Sequence, residues 1–310
     1  MTHGLAWLAA RGGPTFAIAL ALGLAVPSLA GLLRPALSTV VLLLTFLVLL
    51  RTDLAASVSE LKQPWRVALL SLWVLLATPV LALLAARLAG LDDGLTAALV
   101  VTATAPPLTS APAFARIMGL DAAFALTGSL VPMLFVPVSA PPLARHLAGL
   151  ELSIGVGAMM ARLAFFVGLP MLAAVLVRRL VPAPAMAARA RMLDGLVVLA
   201  LGVFATAVMD GVSALALAQP GRAAAMVVAS FAHNWSFFAL TALIFAREGR
   251  VRALTAGLLG GSRQMALMLA VLPADAPRDV VLFLAVAQFP LYLNPFLLKP
   301  LLARLLREKT

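Results

Sequence analysis

Apolar stretches of about 20 residues with few or no charges recur along this whole chain, and each is long enough to cross a hydrocarbon core of about 30 Å as a helix. Few architectures accommodate that pattern. A backbone in lipid must satisfy its own N–H and C=O groups, which leaves helices and closed barrels, and uninterrupted apolar runs of this length fit helices. Only 11% of the residues are charged and 63% are hydrophobic, against about 25% charged in soluble domains. Such a chain cannot cover its apolar surface with polar groups, so it needs lipid as solvent, and no separate soluble domain is left over.

Ten segments are expected, at 14–33, 35–50, 65–88, 95–116, 122–144, 152–177, 193–217, 223–245, 251–272 and 280–302. The fold class is therefore an all-α polytopic membrane protein with ten transmembrane helices. Residues 1–11 are too polar and too short for a complete signal peptide, and an uncleaved first helix fits better. Sixteen Lys and Arg residues fall in the loop set that contains both termini and five in the opposite set. That bias puts both termini in the cytoplasm, of a bacterial inner membrane, and favours an even number of spans.

The net charge of +11 raises the question of nucleic acid in a soluble protein, but here the basic residues sit in short clusters between apolar runs, so no nucleic-acid partner is expected. There is no cysteine, which excludes disulfides, thiolate metal sites and cysteine nucleophiles. With three His and 12 acidic residues, most of the acids near segment ends, no metal centre and no cofactor are expected. The expected partners are membrane lipid and a small solute; no obligate protein partner is evident.

Two arginines, Arg162 and Arg263, fall inside apolar segments, where a charge costs a few kcal/mol and marks a functional position by default. Arg162 lies about ten residues into its segment, near enough to an interface to snorkel. Arg263 lies mid-segment among glycines and polar residues, where snorkelling explains it less well. It is expected beside the crossing of two broken helices, facing a cavity open to water.

Those two breaks are legible as residues. Segment four holds Pro106, Pro107 and Pro112, which remove backbone donors and clash with the preceding turn. Segment nine holds Gly257, Gly260 and Gly261, which weaken a helix, followed by Ser262, Arg263 and Gln264. Each is the fourth of five segments, and Pro106 and Gly260 are 154 residues apart, close to half the chain. An odd number of helices per half turns the second half over. The expectation is a five-plus-five inverted repeat, residues 1–150 and 151–310, with discontinuous fourth and ninth helices meeting at a binding site near the midplane. Half-helix N-termini there suit an anion.

At these residues the chain resembles the bile acid:sodium symporter superfamily over nearly its whole length. The resemblance also rests on Leu50-Arg51-Thr52-Asp53-Leu54, Lys62-Gln63-Pro64, His233-Asn234 in segment eight and Asn294 in segment ten. It implies ten helices in an inverted repeat, with a core bundle of segments three to five and eight to ten and a panel of one, two, six and seven. Together with the polar residues of the two breaks, it gives a candidate substrate site of Thr109, Ser110, Ser129, His233, Asn234, Ser262, Arg263, Gln264 and Asn294, in which Arg263 lies one position past the family's motif. The family's Glu-x-x-x-Gln-Asn sodium ligands align with Gly257, Gly261 and Ser262, and its Ser-Asn pair in the fourth helix with Ser110-Ala111. A further Ser and Thr align with Ala125 and Ser129. The sodium site is thus degenerate, with no acidic residue in either break, and sodium or proton coupling stays open. Arg263 brings a fixed positive charge that either takes over the ion's electrostatic role and attracts an anion, or caps carbonyls freed by the break.

The expected function is secondary transport of a small organic, anionic solute by alternating access. A non-transporting ligand-binding membrane protein is the alternative that the missing ion ligands keep open. A membrane-embedded enzyme would need clustered acids and bases, whereas Asp194 and Asp210 lie near opposite ends of segment seven.

Overall fold

The computed structural model describes residues 4, 12–52, 63–149 and 153–307. The expectations that fall on residues 1–3, 5–11, Asp53, Leu54 and Lys62 lie outside the described residues. In chain order the helices are α1 Gly12–Ala25, α2 Pro27–Leu33, α3 Leu37–Arg51, α4 Pro64–Leu72, α5 Thr78–Leu88, α6 Asp93–Thr104, α7 Ala111–Met118, α8 Ala122–Ala148 and α9 Val156–Leu180. They continue as α10 Ala183–Ala188, α11 Ala190–Val208, α12 Val212–Ala218, α13 Pro220–Ile244, α14 Arg250–Gly261, α15 Met265–Val271, α16 Arg278–Val286 and α17 Gln288–Arg307. Among the described residues there is no named strand, and seven helical stretches are long and apolar enough to cross a membrane. The chain is an integral membrane protein by that measure. The other expected segments appear as shorter pieces: α1, the pair α6 and α7, and the pair α14 and α15.

Proline chemistry sets several boundaries. The residue before a proline is pushed out of the helical region, and Val26, at φ −125 and ψ 76, interrupts the chain before Pro27. The boundary expected at Arg34-Pro35 is instead a single 3₁₀ turn, Arg34–Ala36, flanked by helical residues, so Pro27–Arg51 runs as one apolar stretch. In α8, by contrast, Pro132, Pro137, Pro141 and Pro142 all lie within a continuous helix. Asp121 caps its N-terminus by accepting from the N–H groups of Ala123 and Phe124, which satisfies donors the helix leaves orphaned. Gly119, at φ +72, closes α7 in the left-handed conformation that favours glycine.

The chain forms two compact units, residues 1–52 with 164–224, and residues 53–163 with 225–310. In the first, α11 packs on α1, α2 and α3. Thr206 Oγ1 donates to Ala19 O at 3.1 Å, and a Cβ at Gly23 would sit 2.6 Å from Thr206 O, so the two backbones approach closely. Arg34–Asp210 at 2.6 Å and Arg51–Asp194 at 2.8 Å tie helix ends together; such exposed pairs contribute at most about 1 kcal/mol each.

In the second unit, α4 and α5 are joined by a π turn, Trp73–Ala77, into one run, and α6 packs between α5, α8 and α16. Small residues set the spacing. A Cβ on Gly128 of α8 would meet Leu259 Cδ1 at 2.5 Å and Leu70 Cδ2 at 2.8 Å. Gly257, Gly260 and Gly261 face α13: their Cβ atoms would lie 2.7 Å from Phe238 O, 2.1 Å from the Thr241 side-chain Oγ1 and 2.5 Å from Asn234 O. These glycines are therefore not the break. Helix α14 continues through all three, and the interruption falls at Ser262–Gln264. What they provide is close helix contact, the common use of small residues in membranes.

Arg162 is half-buried. Its Nη2 donates to Ala270 O at 3.3 Å, near the C-terminus of α15, where a helix dipole favours a cation.

Candidate functional site

The site lies wholly within the second unit and begins with two strips of chain that cannot be helical. After Thr104 the chain turns extended at Ala105, ψ 147, and Pro106 and Pro107 have no N–H to donate. After Gly261 the chain turns extended at Ser262, ψ 108. Backbone groups released in a membrane interior must find protein partners, and these strips supply them to each other. Leu108 N–H donates to Ser262 O at 3.0 Å and Gln264 N–H to Pro106 O at 2.8 Å, making an antiparallel bridge centred on Pro107 and Arg263. Pro112 lies at the start of α7, where its missing donor costs nothing.

Arg263 is at this crossing but not in contact with water: its exposure is 0%. The open, water-facing position expected for it is thus corrected. Nε donates to Gly260 O at 2.9 Å, Nη1 to Val74 O at 2.9 Å and Ala105 O at 3.2 Å, and Nη2 to Thr78 Oγ1 at 2.7 Å. Four of the five N–H groups of a guanidinium are thereby taken, all by uncharged oxygens. Thr78 is fully buried and passes its own proton to Val74 O at 2.8 Å while accepting from Arg263. The π turn widens the helix at Val74, so that its carbonyl serves both donors, a recurrent use of such turns at functional positions. Among the described residues no carboxylate pairs with Arg263.

A second line of polar contacts leaves the crossing through α13. Asn234 Nδ2 donates to Gly261 O at 2.9 Å, the last carbonyl of α14. Asn294 Nδ2 donates to Asn234 Oδ1, and Asn294 Oδ1 accepts from Trp235 Nε1 at 2.9 Å. Asn294→Ala leaves the buried Asn234 Oδ1 and the partly exposed Trp235 Nε1 without these partners, and the orphaned buried acceptor costs about 1–3 kcal/mol. A lowered melting temperature of the purified variant is the expected result; unchanged melting would contradict it.

The remaining expected residues divide. His233 and Gln264 are buried beside this chain, with His233 Nε2 and Gln264 Oε1 lacking partners, and the imidazole lies 4.7 Å from the ring of Phe237. Thr109 and Ser262 are buried within the two strips, and Ser110 is half-buried at the start of α7. Ser129, on α8, is buried but turns its hydroxyl to Leu126 O of its own helix at 2.9 Å, and no polar contact joins it to the crossing. Val74, Thr78, Trp235 and Gln288 were not anticipated. Gln288 opens α17 fully buried, its Oε1 without a partner. The Thr78-Pro79 pair inside segment three was the available signal, since a proline there removes a helical donor. No family model matches the chain, and no curated protein matches it.

Proposed function

We propose that this chain is a secondary transporter of a small organic anion, working by alternating access. In this reading it has ten spans in a five-plus-five inverted repeat and is a divergent relative of the bile acid:sodium symporter superfamily that it resembles. The observation that carries the proposal is the antiparallel bridge between two interrupted helices with a buried, carboxylate-free guanidinium at its centre. Paired interruptions near mid-membrane are the usual construction of a transport site. The positive charge suits an anion, and it acts through its field rather than by contact, because the side chain is fully buried and four of its five donors are engaged by the protein.

Further support comes from the two compact units. One gathers segments three to five and eight to ten with the start of the sixth; the other gathers one, two, seven and the rest of the sixth. Those are the bodies that alternating access would move. Both termini are cytoplasmic in this proposal, and a C-terminal reporter active only in the cytoplasm is the expected result.

The test is a thermal-shift screen of organic acids on the purified protein, followed by counterflow in vesicles. A ligand of the native state raises its apparent stability by mass action. Replacing sodium by potassium should change binding by much less than about tenfold, equivalent to 1.4 kcal/mol, because neither break contains an acidic side chain. A steep sodium requirement would count against this reading of the site. Binding without counterflow would leave a ligand-binding protein that does not transport.

A further inference from the structure

We propose that Arg263 makes this protein sensitive to membrane potential: its guanidinium is the charge on which the field acts in the solute-free protein, and a bound monoanion cancels it. The inference rests on the transport reading above and adds to it a rule about charge. A guanidinium stays protonated under all ordinary conditions. Here it is fully buried, and its four bonds go to the uncharged oxygens of Gly260, Val74, Ala105 and Thr78. Among the described residues it has no carboxylate partner. Elsewhere in this unit the pairs Arg66–Glu248, Arg87–Asp93 and Arg252–Asp121 are each internally balanced and near helix ends. Among the described residues nothing offsets the one positive charge at the crossing.

When access alternates, water reaches the crossing from one side and then from the other. The drop in potential shifts from one side of Arg263 to the other, whether the residue moves or the crevices reshape around it. A full traverse of one charge biases the two access states by about fifty-fold per 100 mV. With a monoanion at the crossing the sum of charges is zero, and the same step is insensitive to voltage. Exchange of anion for anion is then electrically silent, and the return of the empty protein is the step that the potential drives. A neutral solute would leave both steps voltage-dependent, and a dianion would reverse the sign of the loaded one.

The empty protein can be tested without knowing the solute. The purified full chain is reconstituted in a planar bilayer in potassium chloride buffer free of organic acids, and voltage steps are applied. The expected result is a transient displacement that saturates at no more than about one elementary charge per protein. Arg263→Lys should retain it. Arg263→Gln should abolish it, and so should Thr78→Asp, which puts a carboxylate where a hydroxyl now lies 2.7 Å from Nη2 and neutralises the guanidinium in place. Should Arg263→Gln fail to fold, Thr78→Asp decides. Absence of displaced charge in the wild type would overturn the proposal, as would a wild-type displacement in either neutralised variant. Counterflow of labelled pyruvate or taurocholate at zero potential reads the transport proposal separately: exchange without displaced charge sinks this inference alone.

Discussion

Gly260→Ala is expected to deplete folded protein and to lower the melting temperature of what remains more than any other single methyl addition in the second unit. The new Cβ would lie 2.1 Å from Thr241 Oγ1, 2.6 Å from its Cβ and 3.0 Å from Phe237 O. Thr241 cannot step aside, since it is fully buried and accepts from Trp73 Nε1 at 2.9 Å. Helix α14 must therefore withdraw from α13, which also strains the Asn234 contact to Gly261 O. Overpacking of this kind costs about 1–3 kcal/mol, and more where backbone is involved. The control is Gly168→Ala in α9, where the added atom meets nothing within 4 Å. There the better helix propensity of alanine should be neutral or stabilising by up to about 1 kcal/mol. Melting curves of both variants in one detergent check the contrast, and equal melting would refute the account of the glycine face.

The second large effect belongs to Arg263. Treated as a solute ligand, Arg263→Gln would leave folding nearly intact and abolish transport. The structure changes the first half of that expectation. Removing the guanidinium takes a donor from the carbonyls of Ala105 and Gly260 and from the Thr78–Val74 pair, which retains its own bond, and a buried acceptor left unmatched costs about 1–3 kcal/mol. A glutamine amide offers two donors in place of four bonds. The expected order of melting temperature is wild type, then Arg263→Lys, then Arg263→Gln, with counterflow following the same order. The lysine variant keeps the charge but has three donors on a flexible stem, so it cannot hold both broken strips and the π turn together. Normal melting with abolished counterflow in Arg263→Gln would mean that the residue serves the solute and not the crossing.

Proline carried most of what was legible beforehand. Pro106 and Pro107 announce an interruption because the missing N–H is a property of the residue itself, and the extended strip lies where they stand. Glycine was misread for the same reason: helix propensity is local, whereas the role of Gly257, Gly260 and Gly261 depends on α13 lying against them. The interruption then falls one residue further on, at Ser262. The π turn at Trp73–Ala77 consists of ordinary apolar residues, and its one mark in the sequence is Pro79 just after it, which removes a helical donor. For Arg162, the apolar segment around it was visible but the carbonyl of Ala270, distant in sequence, was not. The pairing of the two strips was readable only as symmetry of position, and the partners of Arg263 were not readable at all.

Tryptophan is scarce here, at four residues in 310, and two of the four are wired to the crossing. Trp73 is bonded to the threonine that walls off Gly260, and Trp235 to the asparagine pair that ends on Gly261 O. Trp235 is also 44% exposed at the protein surface, so its indole has one edge in the polar chain and one at the surface. A rearrangement of the broken strips that alters either hydrogen bond would change the wavelength and yield of emission from that ring. The two indoles thus give the crossing an intrinsic optical reporter, whose ultraviolet emission is read without attaching a dye.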